Sequence, residues 1–158
     1  MKHKIITLLT IITVIAAMSA TAFADTGSTV RNIEKEYFPD GSYAVIETVI
    51  EESSGISLFA TEKSKSGSRT YTYYNSDNKK AWDFTLNGTF SYDGTTAKAT
   101  AASTSYNIYV SGWKCSNRKA WTTGATAKGS ATFTYNSLMS KDVTLGLKCS
   151  ADGTITAV

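Results

Sequence analysis

The amino-acid sequence predicts an all-β protein, an antiparallel β-sandwich of immunoglobulin-like general architecture. Three observations carry that expectation. Short runs of alternating apolar and polar residues recur along the chain. Turn signals such as Asp93-Gly94 and Asp152-Gly153 separate them. No helical period follows residue 24.

In chain order, the first feature is an export signal. Met1 to Lys4 form a basic start, Ile5 to Met18 an apolar stretch, and Ala22-Phe23-Ala24 an A-x-A cleavage pattern with Ala22 and Ala24 as the small residues. The apolar stretch is short of the roughly 20 residues a permanent membrane helix needs. The sequence therefore predicts a signal peptide over 1–24, secretion, and no stable membrane anchor after cleavage.

Next comes an acidic segment, 25–62. Ile33–Phe38 and Tyr43–Ile50 flank Pro39-Asp40-Gly41 and predict an N-terminal β-hairpin, because proline pre-sets the turn and glycine accepts positive φ. This segment holds eight acidic and two basic residues, whereas 63–158 holds five acidic and twelve basic. The split predicts either an acidic segment lying against a basic domain or a leader released later. A linker is expected near 61–68, and a β-sandwich domain over 63–158.

Within that domain Tyr71, Tyr73 and Tyr74 mark one strand. Trp82, Phe84, Leu86, Phe90 and Tyr92 share even positions, so Asn87-Gly88 is read as part of one long strand rather than a turn. A turn at Asp93-Gly94 would set Ala97, Ala99 and Ala101 opposite Phe90, Gly88 and Leu86. Further strands are expected at Tyr106–Val110, Trp113–Cys115 and Ala125–Tyr135, then at Val143–Cys149 and beyond Asp152-Gly153, giving about seven or more.

Cys115 and Cys149, an even pair in an exported chain, predict one disulfide. Such a bond would contribute about 3.5–4 kcal/mol on the chain-entropy account.

Tyr71-Thr72-Tyr73-Tyr74-Asn75, the run from Trp82 to Gly94, and Ser105–Tyr109 with Trp113-Lys114-Cys115 together resemble a group of short secreted β-proteins from Gram-positive bacteria. The resemblance covers most of 33–158. It implies an extracellular β-fold and no particular activity.

Chemistry is narrowed by what is missing. His3 is the sole histidine and lies in the signal, so the exported chain has none for a Ser-His-Asp or Cys-His mechanism, or for a zinc site. No phosphate-binding glycine loop is present. Most aspartates occupy turn contexts, so a catalytic carboxylate pair is not expected either. Fourteen Lys/Arg against thirteen Asp/Glu leave the exported chain near neutral, without the basic field of a general nucleic-acid binder. No cofactor and no metal are expected. Tyr74, Tyr109 and Trp121 fall out of phase with the apolar faces and are the candidate ligand-binding residues, as flat aromatics for a sugar or a peptide plane.

The leading expectation is a secreted, non-enzymatic module that binds a cell-surface glycan or protein. Two alternatives stand beside it: an antibacterial or toxin-like effector with an acidic leader, and a structural surface or matrix component.

Overall fold

The computed structural model describes residues 29–51 and 62–158. The expected export signal, with Ala22 and Ala24, lies outside the described residues. Among the described residues nine strands form: β1 (Thr29–Tyr37), β2 (Tyr43–Glu51), β3 (Lys63–Tyr74), β4 (Lys80–Tyr92), β5 (Ala97–Ile108), β6 (Trp113–Thr123), β7 (Thr126–Tyr135), β8 (Met139–Cys149) and β9 (Ile155–Ala157). They make two antiparallel sheets, β1-β2-β3-β4-β5 and β6-β7-β8-β9. Each strand pairs with its neighbour in sequence, so both sheets are meanders, whereas an immunoglobulin sandwich uses Greek-key connections. The likeness to immunoglobulin domains thus extends to two facing antiparallel sheets.

Turn chemistry sets the strand ends. Between β1 and β2, Gly41 takes a φ of 81°, and the Asp40 carboxylate accepts from the Ser42 N–H at 3.0 Å. β2 then pairs with β3 along its whole length, from Tyr43↔Tyr74 to Glu51↔Ser66. The acidic and basic stretches therefore meet inside one sheet. Residues 63–68, expected as a linker, are strand. Their serines and lysines read as loop, but Gly67 lies against Leu147 and Ile155 of the other sheet, whose Cδ1 atoms would be 3.5 and 3.7 Å from a Cβ placed there.

β4 is one strand through Gly88, as its phase predicts. The turn after it differs from expectation. Asp93–Thr96 form a four-residue connection, held by the Asp93 carboxylate accepting from the N–H groups of Thr95 (2.8 Å) and Thr96 (2.6 Å). Ala97 and Ala99 consequently face Tyr92 and Phe90, and a bulge brings Ala101 to Thr89 and Ala102 to Gly88. β5 continues unbroken to Ile108, absorbing the strand expected separately at Tyr106.

The inward residues of the two sheets form one core. Trp82 of β4 stacks flat on Phe133 of β7, with ring centroids 3.8 Å apart and planes 2° apart. Tyr71 and Tyr73 stack on Trp82 from β3 at 5.5 and 5.2 Å, and Trp113 meets it edge-on at 5.8 Å. The Trp82 indole N–H has no acceptor among the described residues, which costs about 1–3 kcal/mol. Farther along, the sheets close on small residues. A Cβ at Gly129 would come within 3.3 Å of Leu86 Cδ1, so a side chain there would force the sheets apart.

The expected disulfide is absent. Cys115 and Cys149 are both free thiols. They lie on β6 and β8 of the same sheet with β7 between them, Cys115 level with Phe133 and Cys149 bonded through its N–H to Ala125 O. From Phe133 to Ala125 is a run of about 26 Å at about 3.3 Å per residue, whereas a disulfide needs Cα atoms within about 7 Å. Even number and an exported chain suggested the bond, but the meander carries the two cysteines to opposite ends of the sheet.

Two outcomes follow. Phe133→Ala removes half of the central stack and should cost about 3–5 kcal/mol in urea unfolding. Cys115 and Cys149 should both react with a thiol reagent in denaturant without added reductant, read as two adducts by intact mass. In the native protein the reaction should be slow, since burial pushes both thiols above their usual range.

Candidate functional site

The three aromatic residues singled out in the sequence separate into two places. Tyr74 ends β3, on the outer face of the first sheet, and stacks on Tyr43 at 4.7 Å with planes 5° apart. Tyr43 in turn meets Tyr37 at 5.9 Å. Rings stacked across neighbouring strands use their faces on each other, and Tyr74 is spent in this cross-strand row.

Tyr109 follows β5 and is also engaged. Its hydroxyl donates to Asp83 Oδ2 at 2.7 Å and accepts from Lys80 Nζ at 3.1 Å, while that ammonium lies 4.3 Å from its ring centroid. Asp83 is buried among these groups. It also accepts from Asn107 Nδ2 at 2.9 Å and pairs with Lys80 at 2.7 Å. Burial opposes the charge on Asp83, but the hydrogen bonds from Lys80, Tyr109 and Asn107, with the Lys80 charge, outweigh it and hold the carboxyl below its usual range. Tyr74 and Tyr109 thus flank Lys80 at one rim of the first sheet, as parts of a stabilising network.

Trp121 stands apart. It lies on the outer face of the second sheet, on β6, opposite Lys128 of β7, and is 38% exposed. Among the described residues its ring has no aromatic or cationic partner in contact. Strand alternation places Lys114, Lys119 and Lys128 on that same face, with Lys148 on β8. None of these four lysines has an ion-pair partner among the described residues. Lys114 is level with Thr134, Lys119 with Ser130, and Lys148 with Thr126. The charges therefore form a band about 26 Å long at about 3.3 Å per residue. The one acid on this face, Asp142, accepts from Thr132 Oγ1 at 2.7 Å. Gly146 follows Lys128 in the same cross-strand row, and Val158 covers it, with its Cγ2 and carbonyl oxygen 2.8 Å from where a Cβ would stand.

The charge asymmetry in the sequence thereby gains a location. Residues 113–158 carry six basic and two acidic side chains, while 29–51 and 62–112 carry eight basic and nine acidic. The positive excess belongs to the second sheet. Sequence reasoning found Trp121 but missed its lysine neighbours. Lys128 and Lys148 were legible, each out of phase with Ala127 and Leu147. Lys114 and Lys119 were not, because five residues apart in a regular strand they would face opposite ways. A register shift between Ser116 and Lys119, with Asn117 at a φ of 52°, turns them to one side.

Comparison with models of protein families, with curated proteins and with solved structures finds no match.

The Asp83 cluster generates a pH prediction. A carboxyl whose folded pKa is depressed adds stability above its unfolded value near 3.8, and that stability is lost as pH falls through the folded value. Urea midpoints should therefore fall with acidification below about pH 4, and Asp83→Asn should flatten that fall while lowering stability at neutral pH.

Proposed function

We propose that this chain is a secreted, non-enzymatic β-sandwich module that binds an acidic glycan at the cell surface through the outer face of β6, β7 and β8. The observation that carries this reading is the band of four unpaired lysines around exposed Trp121. An indole face stacks on a sugar ring, and a row of ammonium groups at strand spacing matches charges repeated along an extended polymer. The band is far longer than one small anion and has no enclosing walls, which favours a polymer over a metabolite.

Export rests on the signal pattern ending at Ala24 and fits the resemblance to secreted β-proteins of Gram-positive bacteria. The non-enzymatic reading rests on the lack of histidine after His3 and on the use of aspartates in turns. Asp40, Asp93 and Asp152 each accept a backbone N–H within their own turn. The effector reading, in which 25–62 is an acidic leader, is disfavoured by the β2–β3 ladder. Releasing that segment would strip the partner from β3 and uncover Tyr71 and Tyr73.

The experiment is co-sedimentation of the exported chain with bacterial cell walls, before and after chemical removal of their acidic polymers. Binding should saturate on intact walls and vanish on stripped ones. It should weaken as ionic strength rises from about 0.01 to about 0.15 M, where the screening length shrinks from about 30 to about 8 Å. Trp121→Ala should weaken it by roughly three- to tenfold, and joint replacement of Lys114, Lys119, Lys128 and Lys148 by Gln should abolish it. Equal binding to stripped walls, or by the lysine variant, would refute this function.

A further inference from the structure

The two sheets are closed along one side and open along the other. On the closed side Arg118 Nη1 of β6 donates to Thr104 O of β5 at 3.2 Å, and the Ala99 N–H donates to Gly124 O at 2.9 Å. On the open side β3 lies over β8, so β2 and β1 extend beyond the edge of the second sheet. β9 fills the space beneath them only in part, since it pairs with Leu147, Lys148 and Cys149. The Val158 N–H adds one further bond, to Gly146 O at 3.1 Å. Past Gly146, β8 has no partner strand on that edge among the described residues.

The backbone groups facing outward there can be assigned. Cys149 points its N–H toward β7 at Ala125 O, and Gly146 points its carbonyl toward Val158. Alternation then turns the N–H and C=O groups of Thr144 and Asp142 outward. Beside them is a cleft of about 280 Å³ lined by Glu36, Phe38, Ile46, Arg69, Tyr71 and Lys141, among others. That is below the roughly 300–1,000 Å³ of a usual small-molecule pocket. It matches the volume of a few side chains entering from an added strand.

The geometry points to an acceptor groove for one extended peptide segment, pairing with β8 from Gly146 toward Ser140 beneath β2 and β1. The bonding line of β9 already runs along this edge, and the incoming strand continues it. A second folded copy does not fit through the same edge. Its own first sheet would have to occupy the space held by β2 and β1. The groove also states a side-chain preference. Arg69 projects into it with its side chain 12% exposed, and its two hydrogen bonds, to Glu34 and to Val158 O, are long at 3.4 and 3.3 Å. Its Nε is buried without a hydrogen-bond partner among the described residues. An acidic residue level with Leu145 would give Arg69 a closer partner than its 3.4 Å ion pair with Glu34, against the charge of Glu36 on the same wall, and apolar residues at alternate positions over Val143 and toward Lys141 would cover the apolar wall.

The test extends the full chain beyond Val158 by six residues, Glu-Thr-Val-Thr-Val-Ser, so that the peptide is supplied in line with β9. The second and fourth added residues would donate their N–H groups to β8, and a control carries proline at those two positions. Amide hydrogen exchange at Asp142 and Thr144 should slow by roughly tenfold or more in the first extension, and in the proline control should match the unextended chain. Replacing the added glutamate by lysine should reduce the protection. Equal exchange in both extensions would overturn the groove, as would slow exchange at these residues in the unextended chain, which would mean the edge is already covered. Unchanged protection with lysine would overturn the role of Arg69.

Discussion

The contact on which the rest of this molecule depends is the flat stack of Trp82 on Phe133. It joins β4, an interior strand of the first sheet, to β7, an interior strand of the second, and three further aromatic rings from β3 and β6 close around it. Aromatic side chains bring the largest buried area per residue, and this protein concentrates them at one end of its core. Toward the other end close approaches at glycine, Ala127 against Gly88 and Thr104 against Gly129, alternate with the buried side chains of Leu86, Phe90 and Leu147. The ring cluster at one end, and at the other the fit of Phe90, Leu147 and Ile155 around Gly88 and Gly67, fix how the sheets register on each other. The outer face of the second sheet, by contrast, carries no aromatic stack or ion pair among the described residues.

Much of this could be read in advance, for physical reasons that differ from strand to strand. β4, β7 and β8 bury one face completely, so their apolar residues keep strict alternation and a slip of one residue would expose the core. β3 and β5 bury only part of one face, and their Ser, Thr and Ala residues satisfy strand and loop equally well. That is why residues 63–68 resembled a linker and why β5 resembled two strands. The Asp93 turn misled by its length: its carboxylate caps two successive N–H groups, and Asp-Gly alone does not distinguish that from a two-residue loop.

The surface was less legible than the core. Phase alone identifies an exposed aromatic but not whether its ring face is free. Tyr74 and Tyr109 are exposed yet committed, one to a ring stack and the other to a buried carboxylate. Trp121 is exposed and uncommitted, and a single bulge in β6 decides that lysines from both sides of it share the face. A cluster of lysines assembled by a local irregularity leaves no period in the sequence to detect.

The meander order also governs how the chain reaches this structure. Every ladder joins consecutive strands, so each sheet can zip outward from its own short turns, and the only assembly step that spans the whole chain is docking one finished sheet on the other. Topologies dominated by such local pairings tend to fold fast for their size, because little loop entropy is lost before contacts form. With Cys115 and Cys149 held apart, no oxidation step gates that process. The chain can reach its native state equally in a reducing cytosol or an oxidising exterior, independent of any disulfide-forming enzyme.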